Sequence, residues 1–210
     1  TAKLMGNILV RYMTDDDSPA VREDLTRQYE RYIEGAIRHN LPGVRVWLAS
    51  DLKSTDGLSC DIAIDLPDCI MLLECKYVSL DQNVATRLSV LKSSAMSQVV
   101  KGFRQLLETS HRINEGGYKT IGLLPSKPLV AVVCAPGELP SFNHPAIWEH
   151  AQENRHLREL LRKGMPVVFR PQVLHAFAFE DHLIATRDGL LTVLEHFESL
   201  KDRVPLELAH

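Results

Sequence analysis

The sequence predicts an α/β domain, a mixed β-sheet flanked by helices. Three observations carry this expectation. The elements run helix, strand, strand hairpin, helix, core strand, helix, the order of a sheet layered between helices. The run Ile70-Met71-Leu72-Leu73 is continuously apolar, as a strand buried on both faces must be. No G-x-G-x-x-G or Walker glycine loop is present, and an antiparallel hairpin interrupts the series, so the doubly wound nucleotide-binding pattern is disfavoured.

The first helix has the clearest signals. Asp15-Asp16-Asp17-Ser18-Pro19 supplies a cap, an N1 proline and acids at the positive end of the dipole. Val21, Leu25, Tyr29, Tyr32, Ile33, Ala36 and Ile37 trace one apolar face, and Asn40-Leu41-Pro42-Gly43 stops the helix. Residues 44–48 alternate as a strand, and 50–59 form a polar loop. Strands over 61–65 and 70–77 follow, joined at Leu66-Pro67-Asp68-Cys69. After a polar stretch over 79–94, a helix spans about 95–113 and ends at Asn114-Glu115-Gly116-Gly117. Residues 129–134 read as a core strand closed by Ala135-Pro136-Gly137. Beyond it the pattern predicts a basic amphipathic helix from Pro145 to about Lys163 and a strand over 166–170. A strand or short helix over 173–179 and a last helix over about 190–200 complete the series. No repeat, low-complexity tract or linker divides the chain, so one domain over 1–210 is expected.

Composition narrows the class. At 210 residues, 45% apolar and 24% charged, the chain can bury a full core. No apolar run reaches the roughly 20 residues of a membrane helix. Ile8-Leu9-Val10 is too short for a signal peptide, and the start at Thr1 fits a processed chain or a domain cut from something longer. Cys60, Cys69, Cys75 and Cys134 show no C-x-x-C spacing, so they read as buried reduced thiols of a cytoplasmic protein. The nine histidines read as surface or capping residues. A net charge of −3 argues against a protein that grips nucleic acid over its whole surface. It leaves room for a nuclease, because a metal in an acidic site supplies positive charge where the phosphate sits.

The chemistry-bearing residues cluster on the hairpin. Glu74 and Lys76, two apart, project from the same face of their strand. A carboxylate and an ammonium ending a core strand are expensive to desolvate unless paired, metal-bound or used in chemistry. An exposed ion pair contributes about 0–1 kcal/mol, which gives no reason to end so apolar a strand on two charges. The hairpin brings Asp61, at the start of the preceding strand, beside them. Asp65 and Asp68 flank the turn and read as turn residues.

Asp61 followed by Glu74-Cys75-Lys76, in that order on consecutive strands after a helix and an opening strand, resembles the PD-(D/E)XK, or restriction-endonuclease-like, nuclease superfamily. The resemblance covers about residues 18–135 as the core of that fold, with 136–210 as a C-terminal elaboration. It implies a metal-dependent nuclease in which Asp61 and Glu74 hold one or two Mg²⁺ (or Mn²⁺) ions, with the Cys75 carbonyl as a further oxygen. Lys76 would orient or help deprotonate the attacking water and offset charge on the phosphate. Many members place a glutamate on the first helix. Glu30 lies at the margin of the apolar face beside Ile33 and Ile37, with Glu34 in reserve and both Glu34 and Glu23 further toward solvent. On the helix after the lysine strand, Gln98 fits a site-lining glutamine, with Lys101 one turn on. The usual aromatic four residues beyond the glutamine is absent, because Gly102 stands there.

The resemblance makes nucleic acid the partner, DNA ahead of RNA because most of the superfamily acts on DNA. It excludes no homodimer and no further domains of a longer protein, and it implies no membrane partner. One rival is the same fold used as a catalytically inactive binding module, which the retention of Asp61, Glu74 and Lys76 opposes. A small-molecule enzyme of another α/β fold lacks its phosphate loop and nucleophile motif here.

Overall fold

A computed structural model describes residues 19–53, 59–77, 93–137, 140–190 and 192–195. Helix α1 (Pro19–Asn40) leads into β1 (Arg45–Leu48), β2 (Ile62–Asp65) and β3 (Ile70–Cys75). Helix α2 (Ser94–Asn114) crosses to β4 (Leu129–Ala135), and α3 (Pro145–Ala151) with α4 (Arg155–Arg162) crosses to β5 (Gln172–His175), followed by α5 (Ala176–Arg187). The five strands lie in the order β1-β2-β3-β4-β5. β1, β2 and β3 pair antiparallel, and β3, β4 and β5 pair parallel. The short link Leu66–Cys69, closed by Leu66 N–H on the Cys69 carbonyl at 2.9 Å, forces the antiparallel hairpin. The two helical crossovers allow the parallel pairs. The chain is thus α/β, with a mixed five-stranded sheet flanked by helices.

Every residue of β3 and β4 is buried, because each face of the sheet carries a helical layer. Ile70 and Leu72 of β3 face α2, where Val99, Phe103, Leu106 and Leu107 meet them, with Ile147 and Leu157 from α3 and α4 behind. Met71, Leu73 and Cys75 face the other layer, built from Tyr29, Ile33 and Ile37 of α1 with Phe179 and Leu183 of α5. The spacing 29, 33, 37 is one turn of helix per step, which is why α1 buries a single stripe. Ser93 caps α2, its Oγ accepting from Met96 N at 3.1 Å. All four cysteines are buried free thiols. Trp47 is buried in the core, and the Trp148 ring stands edge-on to Phe103 at 5.6 Å. Among the described residues, no helix is long and apolar enough to cross a membrane.

Three expectations after Pro145 are corrected. The single helix over 145–163 is two helices. Asn154 accepts from Leu157 N at 3.2 Å and so starts a new helix, while Gln152 closes the old one. Residues 166–170 form no strand: Val168 N–H reaches the Leu129 carbonyl at 3.0 Å, but β5 takes this edge of β4 from Val132 onward and Pro166 has no N–H to offer. Residues 173–179 divide between β5 and α5. His175 makes the switch, its Nδ1 accepting from Ala178 N at 3.2 Å. Leu190 is not helical; residues 193–195 are, and 196–200 lie outside the described residues, as do the predicted cap at 15–18, residues 54–58 of the polar loop at 50–59 and residues 79–92 of the polar stretch at 79–94.

The outer edge of β5 is closed by a side chain. Asn143 donates Nδ2–H to the Val173 carbonyl and accepts Val173 N–H on Oδ1, both at 2.7 Å, so one amide stands in for a sixth strand. Arg170 holds the Asn143 carbonyl at 2.8 Å. Asn143→Ala strands a donor and an acceptor on a buried residue, and is expected to cost about 2 kcal/mol in urea unfolding. Asn143→Asp keeps only the acceptor and should fall between; an unchanged midpoint for both would show that water closes this edge.

Candidate active site

The antiparallel hairpin places the start of β2 beside the end of β3, and the parallel strand β4 ends there too. Asp61 extends the ladder by one residue, its N–H on the Leu73 carbonyl at 3.0 Å. Its Oδ2 accepts Cys75 N–H at 2.7 Å, which fixes the carboxylate against the end of β3. Lys76 continues the pairing on the other side through its N–H on the Cys134 carbonyl at 2.9 Å. Glu74 shares the α2-facing side of β3 with Ile70 and Leu72, while Asp61, one residue before β2, lines a cleft with residues of α1.

Helix α2 closes over these residues. The Lys76 ammonium donates to Glu74 Oε1 and to Gln105 Oε1, the latter at 2.9 Å. Gln105 in turn donates Nε2–H to the Ser59 carbonyl at 3.2 Å. The Glu74 side chain is 1% exposed, and its Oε2 is buried with no hydrogen-bond partner among the described residues. Gly102 makes the close approach possible. A Cβ there would stand 2.9 Å from Val133 Cγ2, 3.4 Å from Glu74 Cγ and 3.6 Å from Lys76 Cγ. Gly102 is therefore the contact point between helix and site.

Burial dominates the electrostatics. It pushes the Glu74 carboxyl up to about 8, and the Asp61 charge adds to the shift, while the Lys76 ammonium opposes it. Burial also raises Asp61, against the Cys75 amide and the charges of Lys76 and Lys101. Glu30 is raised by partial burial and by Asp61, against Lys76 and Arg27. Asp61 and Glu30 line one depression, and the buried Glu74 feels the charge of both. A cleft of about 250 Å³ opens beside them, lined by Arg27, Glu30, Arg31, Glu34 and Asp61 over a floor of Leu48, Ala49, Ser50 and Ile62.

Of the residues singled out from the sequence, Asp61, Glu74 and Lys76 meet directly at the ends of β2 and β3, and Glu30 reaches the same depression from α1. Glu34 also lines the cleft, but its Oε1 is taken by Arg38 Nε at 2.8 Å. Cys75 contributes its amide N–H, while its thiol lies in the opposite core layer. Gln98 is not brought in: it is exposed on the first turns of α2, and none of the described hydrogen bonds ties it to the site. Gln105, two turns on along the same stripe, is the glutamine that touches Lys76, and sequence reading missed it. The signal was present, because a 7-residue step returns to almost the same helix face, but glutamine alone does not show how far the helix must run before it covers the strand ends.

Among the described residues, no group of three or more His, Cys, Asp or Glu side chains is placed to hold a metal ion. The donor chemistry nonetheless suits a hydrated hard cation, which takes one or two carboxylates and keeps its waters. Glu74 Oε2 is buried and has no hydrogen-bond partner among the described residues, so it is an oxygen that a cation could engage. Comparison with family models, with curated proteins and with solved structures finds no match for this chain.

Two outcomes follow from the geometry. Gly102→Leu should destabilise the fold by roughly 2–3 kcal/mol, because Val133 is stiff and cannot yield as a long side chain would. Near-wild-type stability would show that α2 rides higher than described. Second, in metal-free protein the folded state keeps a proton on Glu74 between the ordinary value of 4.5 and about 8, whereas the unfolded chain has released it. That contribution to stability is present below 4.5 and is lost as the pH rises to about 8. Melting temperatures from pH 5 to 9 in EDTA should show wild type falling more steeply than Glu74→Gln; parallel curves would refute the raised carboxyl.

Proposed function

We propose that this chain is a metal-dependent nuclease with a restriction-endonuclease-like core, hydrolysing phosphodiester bonds with Mg²⁺ or Mn²⁺, DNA ahead of RNA. One observation carries the reading. The buried, half-satisfied Glu74 carboxylate shares Lys76 with Gln105 and lies beside the Asp61 carboxylate at a sheet end. A structural ion pair has no use for an orphaned oxygen, since a buried acceptor without a partner costs about 1–3 kcal/mol.

Asp61 and Glu74 would hold the cation, with the Cys75 carbonyl and Glu30 as further oxygens, and the cation would supply charge to a phosphoryl oxygen and acidify bound water. The protein's part follows from its own contacts. An ammonium has three N–H donors, and Glu74 and Gln105 take two on Lys76, so the third remains to hold the attacking water or a non-bridging phosphate oxygen. Gln105 keeps Lys76 from swinging away, and Ser59 keeps Gln105 in place. The Cys75 amide turns Asp61 toward the same point. Water attacks phosphorus as the ester oxygen leaves, and Lys76 opposes the negative charge that gathers on the phosphoryl oxygens. Four free buried thiols suit a reducing, cytoplasmic setting.

A binding module of the same fold is the second reading. It is favoured by Lys76 already occupying Glu74 Oε1 and by the lack of a described three-acid cluster. Supercoiled plasmid, single-stranded DNA and RNA, each with Mg²⁺, Mn²⁺ or EDTA, separate the two. The nuclease reading expects metal-dependent cleavage that falls about 100-fold or more in Glu74→Gln and Lys76→Met. Cleavage that survives both substitutions, or none of any substrate with either metal, would leave the binding module.

A further inference from the structure

The cleft beside Asp61 has a second wall that hydrolysis itself does not use. Arg27, Glu30, Arg31 and Glu34 all line it, at the i, i+3, i+4, i+7 positions of one helix face. The two acids have assignments within the protein: Glu30 faces the Asp61 depression and Glu34 holds Arg38. The two arginines are spare. Arg27 is exposed, and its one ion pair, to Glu23, is long at 3.9 Å and open to water, so it holds little. Arg31 is exposed and makes no ion pair or hydrogen bond among the described residues.

The geometry points to Arg27 and Arg31 as a phosphate-binding subsite that seats the nucleic-acid backbone next to the bond to be cut. One helical turn separates the two residues, about 6 Å along the axis, so they can meet successive phosphates of one strand. Guanidinium forks grip phosphate oxygens in pairs. Asp61 lines the same cleft, so a ligand that spans from the proposed cation to both arginines would carry negative charge at intervals. Among the described residues that line the cleft, Leu48, Ala49, Ser50 and Ile62 offer no aromatic ring to stack a base and no side-chain amide to read its edge. The contact is therefore with the backbone and carries no sequence information. This subsite rests on the nuclease reading for its role, and its binding can be measured apart from cleavage.

The test is anisotropy of a labelled mixed-sequence single strand across a salt series, with metal chelated so that nothing is cut. Arg27→Gln and Arg31→Gln should each weaken binding about tenfold. The double variant should flatten the salt dependence by about 1.4, two phosphate contacts at about 0.7 each. The double lysine variant should keep that slope while losing affinity. Lys163→Gln, an exposed cation on the far side of α2, should change neither. Wild-type affinity and slope in the double glutamine variant, no binding by wild type, or an equal loss in Lys163→Gln would each overturn the subsite. If the wild type cuts DNA but the double variant binds normally, the subsite falls and the nuclease stands. If nothing is cut with any metal but the double variant loses binding and slope, the subsite stands alone.

Discussion

A carboxylate that ends a strand buried on both faces stays there only if neighbouring groups replace the water it has lost. Around Glu74 that replacement depends on one close approach, of α2 to β3 at Gly102. With no side chain at that position, the helix lies low enough for Gln105 to reach Lys76 and the Ser59 carbonyl together. Lys76 is thereby held on Glu74, and the ion pair is sealed at 13% and 1% exposure. A pair so enclosed is weak support for stability, because desolvation of two charges offsets most of their attraction. The arrangement runs against the local preference of the strand, and conflicts of that kind concentrate where a protein does chemistry.

The fold was legible wherever one rule acted alone. A 29, 33, 37 stripe can only be a helix packed on one side, and an apolar run beside a four-residue turn can only be a buried hairpin strand. Illegibility began after Pro145, where two rules competed. The apolar residues Ile147, Ala151, Leu157 and Leu161 continue almost in phase through the break at Asn154, so periodicity masked a cap. The strand expected at 166–170 has suitable residues, and its exclusion depends on which edges of β4 are free, a fact of topology that no local window contains. In the site, the hairpin residues Asp61, Glu74 and Lys76 were readable because register follows from a short turn. Gln105 was not, since its place depends on the height and length of a helix set by Gly102.

The two layers of the domain contribute opposite chemistry at the same sheet end. From one face, α2 brings an amide and a glycine that seal the Glu74–Lys76 pair from water. From the other, α1 brings alternating arginines and glutamates that stay at the cleft rim. The Glu74–Lys76 half is buried, whereas Arg27 and Arg31 of the other half are exposed, a division that on the proposed reading suits one group doing chemistry and another seating a long substrate.

The raised acids bind the two halves together. Burial pushes the Glu74 carboxyl up to about 8 and shifts Asp61 and Glu30 in the same direction. Arg27 and Arg31 line the cleft beside Asp61 and Glu30. On the proposed reading, an acidic protein of net charge −3 would meet a polyanion through the two cleft arginines. The burial that raises Glu74 would then lower the electrostatic barrier to a substrate of its own sign.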